Sequence, residues 1–103
     1  MRHNLTKVDV KKYPVLSVEF DDGIAGDIDM SNDIATKPIF AELRDPVFFA
    51  SVSVGRGGDC LGWKLDDVGN EIDLSADGLR NDVEVEIVRA RAARYRASRQ
   101  AAE

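Results

Sequence analysis

The longest regular pattern in the chain is an alternation of apolar and polar residues over positions 15–30, VLSVEFDDGIAGDIDM. One face of this pattern carries apolar or small residues, namely Leu16, Val18, Phe20, Ile24, Gly26, Ile28 and Met30. A period of two on both sides of Asp22-Gly23 predicts a β-hairpin with a two-residue type I′ turn. That turn requires positive φ at both central residues, which Asp tolerates and Gly adopts freely. We expect the rest of the chain to cover the apolar face.

Four shorter segments also have patterns that are typical of strands, at residues 5–10, 50–54, 60–63 and 71–74. Tyr13-Pro14 connects the first of them to the hairpin, because Pro14 fixes its own φ and drives Tyr13 towards an extended conformation. The large apolar side chains are expected to form the core under the hairpin; they are Phe20, Phe40, Phe48, Phe49 and Trp63. Since adjacent residues rarely both point inward, we expect Phe48 or Phe49 to lie outside it.

Short helical turns are predicted between these strands. The polar residues 31–33 end the hairpin and can cap a helix. Pro38 stands near the start of a turn over residues 38–43, and Asp45-Pro46 can begin another turn through residues 47–49. Ser75 is a suitable cap for one helical turn over residues 74–79.

The end of the chain fits two descriptions. Residues 83–87 alternate like a strand, whereas residues 90–102 have a high helix propensity. We favour one helix that starts at about Asp82, with Val85, Val88, Ala92 and Tyr95 along one stripe. The alternative is an edge strand over residues 83–88 followed by a shorter helix. The predicted organisation is an α+β domain at residues 1–81 and a basic C-terminal helix extension at residues 82–103.

Length and composition indicate one small globular domain, since 103 residues suffice for a single core. No apolar run approaches the roughly 18 residues of a membrane span, and the N-terminus lacks the apolar segment of a secretory signal. Cys60 is the one cysteine, so no internal disulfide can form. These features predict a cytoplasmic protein without membrane contacts.

Charge is unevenly distributed along the chain, whose net charge is −5. Residues 1–83 hold 9 Lys/Arg and 16 Asp/Glu, a net charge of −7, whereas residues 84–103 hold 5 Arg and 3 Glu, a net charge of +2. An acidic body repels nucleic acid at long range, so only the last helix could bind it.

Several short motifs occur in a characteristic order. They are Val15-Leu16, FDDG at 20–23, DID at 27–29, FAEL at 40–43, Asp45-Pro46, Phe48-Phe49, VSV at 52–54, Gly57-Gly58, Trp63 and IDLSADGL at 72–79. This order resembles family 2442 of the domains of unknown function, which are small bacterial proteins, over roughly residues 5–80. The segment 64–69 is longer here than the family pattern, and Ala76 stands where the family often has Pro.

The resemblance implies a small α+β domain with an antiparallel sheet, short helices on one face and no catalytic residues. Some related chains carry a helix-turn-helix domain after this one, and many resemble the partner of a second small protein in toxin–antitoxin-like pairs. Too few residues follow position 81 for a full helix-turn-helix domain, so the resemblance favours a protein partner over DNA.

Four groups of residues have the types needed for chemistry, and each has a simpler structural explanation. Residues 27–33 begin like a calcium loop, but Asn32 and Pro38 replace the glycine and the bidentate glutamate that the loop needs. Asp73 and Asp77 are four apart, yet Ser75 and Asp77 are better explained as helix-start residues.

A nucleophilic pair of Cys60 and His3 would need a terminal histidine to meet a cysteine in an apolar strand. The glycine-rich residues 55–58 lack the lysine and helix of a phosphate-binding loop. We therefore expect no enzyme activity, no metal site and no cofactor.

The C-terminal tail is the segment most open to a functional interpretation. Its candidate partner-binding residues are Arg89, Arg91, Arg94, Tyr95, Arg96 and Arg99. The arginines are spread around the helix rather than gathered on one face, whereas Ala90, Ala93 and Ala97 share a narrow small-residue face. We predict a protein-interaction module that binds a small protein or a second copy of itself through the C-terminal helix and the exposed sheet edge. The alternatives are a nucleic-acid-associated regulator that uses the arginines, and a solvated terminal helix.

Overall fold

The computed structural model describes residues 3–102, with side chains described as far as Ala97. Six strands lie in this part of the chain: β1 Leu5–Lys12, β2 Val15–Phe20, β3 Ala25–Asp29, β4 Ser53–Val54, β5 Cys60–Trp63 and β6 Ile72–Ser75. The α-helices are α1 Ser31–Thr36, α2 Pro46–Phe49 and α3 Ala76–Ala102, and 3₁₀ turns occupy Pro38–Arg44 and Arg56–Gly58.

The strands form two antiparallel sheets of three strands, with the orders β1-β2-β3 and β4-β5-β6. Within each sheet, every strand pairs with the strand next to it in sequence, as in a β-meander. The α+β class predicted from the sequence is therefore confirmed, although two small sheets stand where one was expected.

The predicted hairpin forms, but its turn is not type I′. Phe20 and Ile24 close the loop through the Phe20 N–H to Ile24 C=O hydrogen bond of 2.9 Å, so the loop contains three residues. Gly23 alone in the loop has positive φ, at 85°. Asp22 instead accepts the Ile24 N–H at 3.2 Å through its carboxylate. A three-residue loop that ends in a left-handed glycine is the next commonest hairpin connection.

The core lies between the sheets and the short helices. Trp63, Phe49, Phe20 and Leu16 are buried, and the Trp63 indole N–H donates to the Phe49 carbonyl at 2.8 Å. The Phe49 ring lies 5.0 Å from the Tyr13 ring and 5.6 Å from the Trp63 ring, so it joins the two sheets. Phe40 is also buried. Phe49 is the inward member of the adjacent pair, whereas Phe48 is half-buried and still packs against the core rather than lying outside it.

Two local predictions near the short helices were wrong. Residues 31–33 do not cap α1, because they form its first turn. The Asp29 carboxylate accepts the Ser31 N–H at 2.9 Å, and this hydrogen bond holds the pKa of Asp29 below its usual range. The strand predicted at residues 50–54 shrinks to β4, because the backbone N–H groups of residues 50–52 bond back to the helical turn of α2. Asp45 caps that turn by accepting the Val47 N–H at 2.9 Å.

The C-terminal helix α3 begins at Ala76 rather than at Asp82. Residues 83–88, the alternative edge strand, lie within this helix. The Ser75 hydroxyl accepts the Gly78 N–H at 3.1 Å, so the cap predicted for a single turn starts the long helix. Position 82, where the sequence suggested a division of the chain, therefore lies within a continuous helix.

Candidate interaction surface on the C-terminal helix

The first three turns of α3 are docked on the body of the protein. Ala76, Leu79 and Val83 are buried, and Ile87 is half-buried against the same core. Val83 lies over β3 at Gly26, where a Cβ atom would come within 2.8 Å of the Val83 side chain. Glycine at this position lets helix and sheet approach closely, so it determines how α3 sits on the body.

Arg80 fastens the same part of the helix to the hairpin loop. Its guanidinium donates two hydrogen bonds of 2.8 Å to the Asp22 carboxylate and lies 5.2 Å from the centre of the Phe20 ring. It also donates to Glu84 at 2.9 Å. The hydrogen bonds from Arg80 lower the pKa of Asp22 to about 2, and the same contacts raise the pKa of Arg80.

Beyond Ile87 the helix projects from the body. From Val88 to Ala97 the described side chains are exposed, apart from the half-buried Ala92. The radius of gyration is 15.8 Å, compared with about 13 Å for a compact chain of this length. The molecule measures 57 Å along its longest axis and 19 Å along its shortest, as a projecting helix requires.

The predicted stripe of Val85, Val88, Ala92 and Tyr95 exists, and it faces solvent. Val85 is 39% exposed, and Val88 and Tyr95 are each 63% exposed. At about 100° per residue, the centre of this stripe lies roughly 160° around the helix from the centre of the buried residues. The helix therefore carries two apolar stripes, of which one is buried against the body and the other is exposed. We call the exposed one the outer stripe.

The predicted partner-binding residues occupy the projecting part of α3. Arg91, Arg94, Tyr95 and Arg96 are exposed, and the side chain of Arg99 lies outside the described residues. Arg89 is exposed and donates to Glu86 at 3.0 Å within the same helix. The structure thus places these residues on one helix but around several of its faces, and Ala90, Ala93 and Ala97 are exposed between them.

The constellations considered for chemistry do not assemble. Asp27 pairs with Lys11, Asp29 accepts the Ser31 N–H, and Asp33 pairs with Lys37, so the calcium-loop carboxylates have separate structural partners. Asp73 and Asp77 are both exposed, on β6 and on α3.

His3 lies beside the hairpin loop, 3.4 Å from Asp22, rather than at Cys60. Burial raises the pKa of the Cys60 thiol, which makes it a poorer nucleophile. His3, Asp21 and Asp22 bring possible ligand atoms within 4.8 Å of one another, but both oxygens of Asp22 already accept hydrogen bonds from Arg80.

A shallow acidic groove runs beside the outer stripe, between β3 and α3. It has a volume of about 470 Å³ and is lined by Asp27, Ile28, Asp29, Asp82, Val85, Glu86 and Arg89. Carboxylates from two elements thus lie next to the apolar surface of Val85. Sequence reasoning missed this groove because it depends on how α3 crosses β3.

Comparisons with known proteins give no relative on which to base a function: the chain matches no protein-family model, no curated protein and no solved structure. The resemblance to family 2442 therefore stays a prediction. Within residues 3–102, no helix has the combination of length and apolarity needed to cross a membrane.

Proposed function

We propose that the chain is a non-catalytic interaction module that binds another small protein through the outer stripe of α3. The observation that carries this proposal is the exposure of Val85, Val88 and Tyr95 on a helix that projects from the body. Apolar side chains repeated at one helical face normally lie against a neighbouring element. The fold buries a different face of α3, so the outer stripe is available to a second protein.

The spacing of the outer stripe supports a helical partner. Its residues follow one another at intervals of three, four and three, which are the a and d positions of a coiled-coil heptad. Arg89, Arg91 and Arg96 flank the stripe at e and g positions, where charges select the partner. An amphipathic helix laid along this face would contact both the apolar stripe and the arginines.

The resemblance to family 2442 extends the proposal to the biological setting. On that basis the protein is bacterial and cytoplasmic, and its partner is the second member of a toxin–antitoxin-like pair. The proposal involves no enzyme activity, cofactor or metal.

A nucleic-acid-associated regulator is the second candidate, because Arg91, Arg94 and Arg96 are exposed on the projecting helix. Phosphate binding by arginine falls steeply with salt concentration. The acidic body opposes this candidate, since residues 1–83 carry a net charge of −7.

The test is affinity capture from lysate of the native host with the tagged full chain, with and without nuclease. Val88→Glu places a charge in the outer stripe, and Val68→Glu is the matched control, because Val68 is 89% exposed outside α3. We expect a stoichiometric small protein that survives nuclease, is lost with Val88→Glu and is kept with Val68→Glu. Capture that depends on nucleic acid would support the regulator instead, and equal capture by both variants would contradict the use of the stripe.

A truncated chain gives an independent test if it ends after Ile87 rather than after Asn81. A chain that ends at residue 81 loses the buried Val83 and would be destabilised for reasons unrelated to binding. A chain that ends at residue 87 keeps every core contact of α3 while it removes the projecting part. We expect this shorter chain to fold and to lose the partner.

A further inference from the structure

The outer stripe has a property that a surface for an unrelated protein does not need: it is complementary to itself. We propose that α3 pairs with α3 of a second copy as an antiparallel coiled coil centred near residue 90. The inference rests on the proposed function because it uses the same stripe, and it names a second copy of the chain as the occupant.

The sizes of the side chains favour this pairing. In an antiparallel coiled coil, an a residue of one helix lies opposite a d residue of the other. A centre near residue 90 places Val85 opposite Tyr95 of the second copy, and Val88 opposite Ala92. Each layer then combines a larger side chain with a smaller one, and two-fold symmetry repeats both layers, as an isologous interface requires.

Charge determines the direction of the pairing. The part of α3 on the body is acidic at Asp82, Glu84 and Glu86, whereas the projecting part is basic. An antiparallel arrangement brings Arg96 of one copy beside Asp82 of the other, at the acidic groove described above. A parallel arrangement would set Arg91 beside Arg96 and would place two bodies of charge −7 side by side.

The position of the body leaves this face open. Leu79 and Val83 hold the body against the face of α3 that lies opposite the outer stripe. In the proposed pair, each body therefore lies on the far side of its own helix. The two bodies also lie at opposite ends of the pair, because the helices run in opposite directions.

Arg91 is the residue that distinguishes a second copy from an acidic partner. Near the two-fold axis Arg91 meets Arg91 of the second copy, which is unfavourable. Arg89 also approaches Arg89 of the second copy, but its charge is compensated by Glu86 at 3.0 Å within the same helix. Arg91→Ser should therefore strengthen self-association, whereas it would weaken binding to an acidic helix.

Sedimentation of the purified full chain from about 10 µM to 1 mM tests the pairing, since an interface of two heptads is small and its dimer weak. We expect a reversible dimer, a loss of affinity of roughly tenfold or more with Val88→Glu, no change with Val68→Glu, and a gain of a few-fold with Arg91→Ser. A monomer at every concentration, or equal effects of the two glutamate variants, overturns the inference.

Disulfide formation tests the direction of the helices. In a Cys60→Ser background, Val88→Cys and Ala92→Cys are prepared as separate full chains of different mass. If the helices are antiparallel, a mixture of the two variants forms disulfide-linked dimers, whereas each variant alone forms few. A parallel pair cross-links each variant with itself, and that result overturns the antiparallel arrangement.

The two proposals can fail separately. If the purified chain is monomeric but Val88→Glu loses a small protein captured from lysate, the proposed function stands and the pairing with a second copy is wrong. If the chain forms the antiparallel dimer but captures no other protein through the stripe, the inference stands and the proposed function is wrong.

Discussion

The two halves of α3 carry similar apolar residues but lie in different surroundings. In the docked half, Leu79 and Val83 are 4% and 2% exposed and contact the core. In the projecting half, Val88 and Tyr95 are each 63% exposed. The same kind of side chain thus stabilises the fold in one half and remains exposed in the other.

This difference shows that helical periodicity alone does not identify the face that a fold buries. Val85 and Val88 belong to a regular stripe, yet β3 and β6 support the other side of the helix, where Val83 meets Gly26. The choice between stripes depends on a glycine more than fifty residues away in the sequence. Local spacing contains no information about that contact.

The largest effect expected from this comparison is the difference between Leu79→Ala and Val88→Ala. Leu79→Ala removes a buried side chain from the docked half and should lower the free energy of unfolding by about 2–5 kcal/mol. Val88→Ala changes an exposed position and should alter it by no more than about 0.5 kcal/mol. Urea denaturation of the purified chains measures both values, and similar losses would contradict the division of α3 into two halves.

The hairpin illustrates how far the sequence predicts the fold. The inward-facing residues of the two strands have even numbers, and residues that pair across an antiparallel ladder lie on the same face. A loop of two residues would have paired even-numbered positions with odd-numbered ones. Phe20 would then have shared a face with the polar residues of β3. The alternation therefore required a three-residue loop, although the Asp-Gly pair favoured a shorter one.

The candidate surface was predicted less completely than the hairpin. The stripe of Val85, Val88, Ala92 and Tyr95 was identified from its spacing, but the spacing did not indicate that this stripe faces solvent while another face of the helix contacts the body. The start of α3 was misplaced because residues 83–87 alternate like a strand, while Ser75 already gave the correct cap signal. Contacts such as Arg80 with Asp22 join residues 58 positions apart, beyond the range of a local pattern.

A smaller effect is expected where the docked half of α3 crosses β3. Gly26→Ala introduces a Cβ atom 2.8 Å from the Val83 side chain and should lower the free energy of unfolding by about 1–3 kcal/mol. Val83→Ala removes the atoms in conflict, so the double variant should be more stable than the sum of the single effects predicts. A double-mutant cycle by urea denaturation measures this coupling. Additive effects would show that Gly26 does not determine the approach of the helix.

The smallest effect concerns two ion pairs, one in each half of α3. Arg80 joins the helix to Asp22 of the hairpin loop, whereas Arg89 joins Glu86 within the helix itself. The first pair connects two elements of the fold and the second does not. We expect Arg80→Met to lower the melting temperature at pH 7, and we expect Arg89→Met to leave it nearly unchanged.

The dependence on pH separates this ion pair from the packing of the Arg80 stem. In the native protein the pKa of Asp22 is about 2, below its value of roughly 3.9 in an unfolded chain. The stabilisation from this carboxylate is therefore fully present above about pH 5 and is lost as the pH falls from about 4 to about 2. The difference in melting temperature between the native protein and Arg80→Met should narrow over that range, because the variant lacks the partner that depresses the pKa. A difference that stays constant from pH 7 to pH 2 would mean that Arg80 holds α3 by packing on Phe20 rather than by its charge.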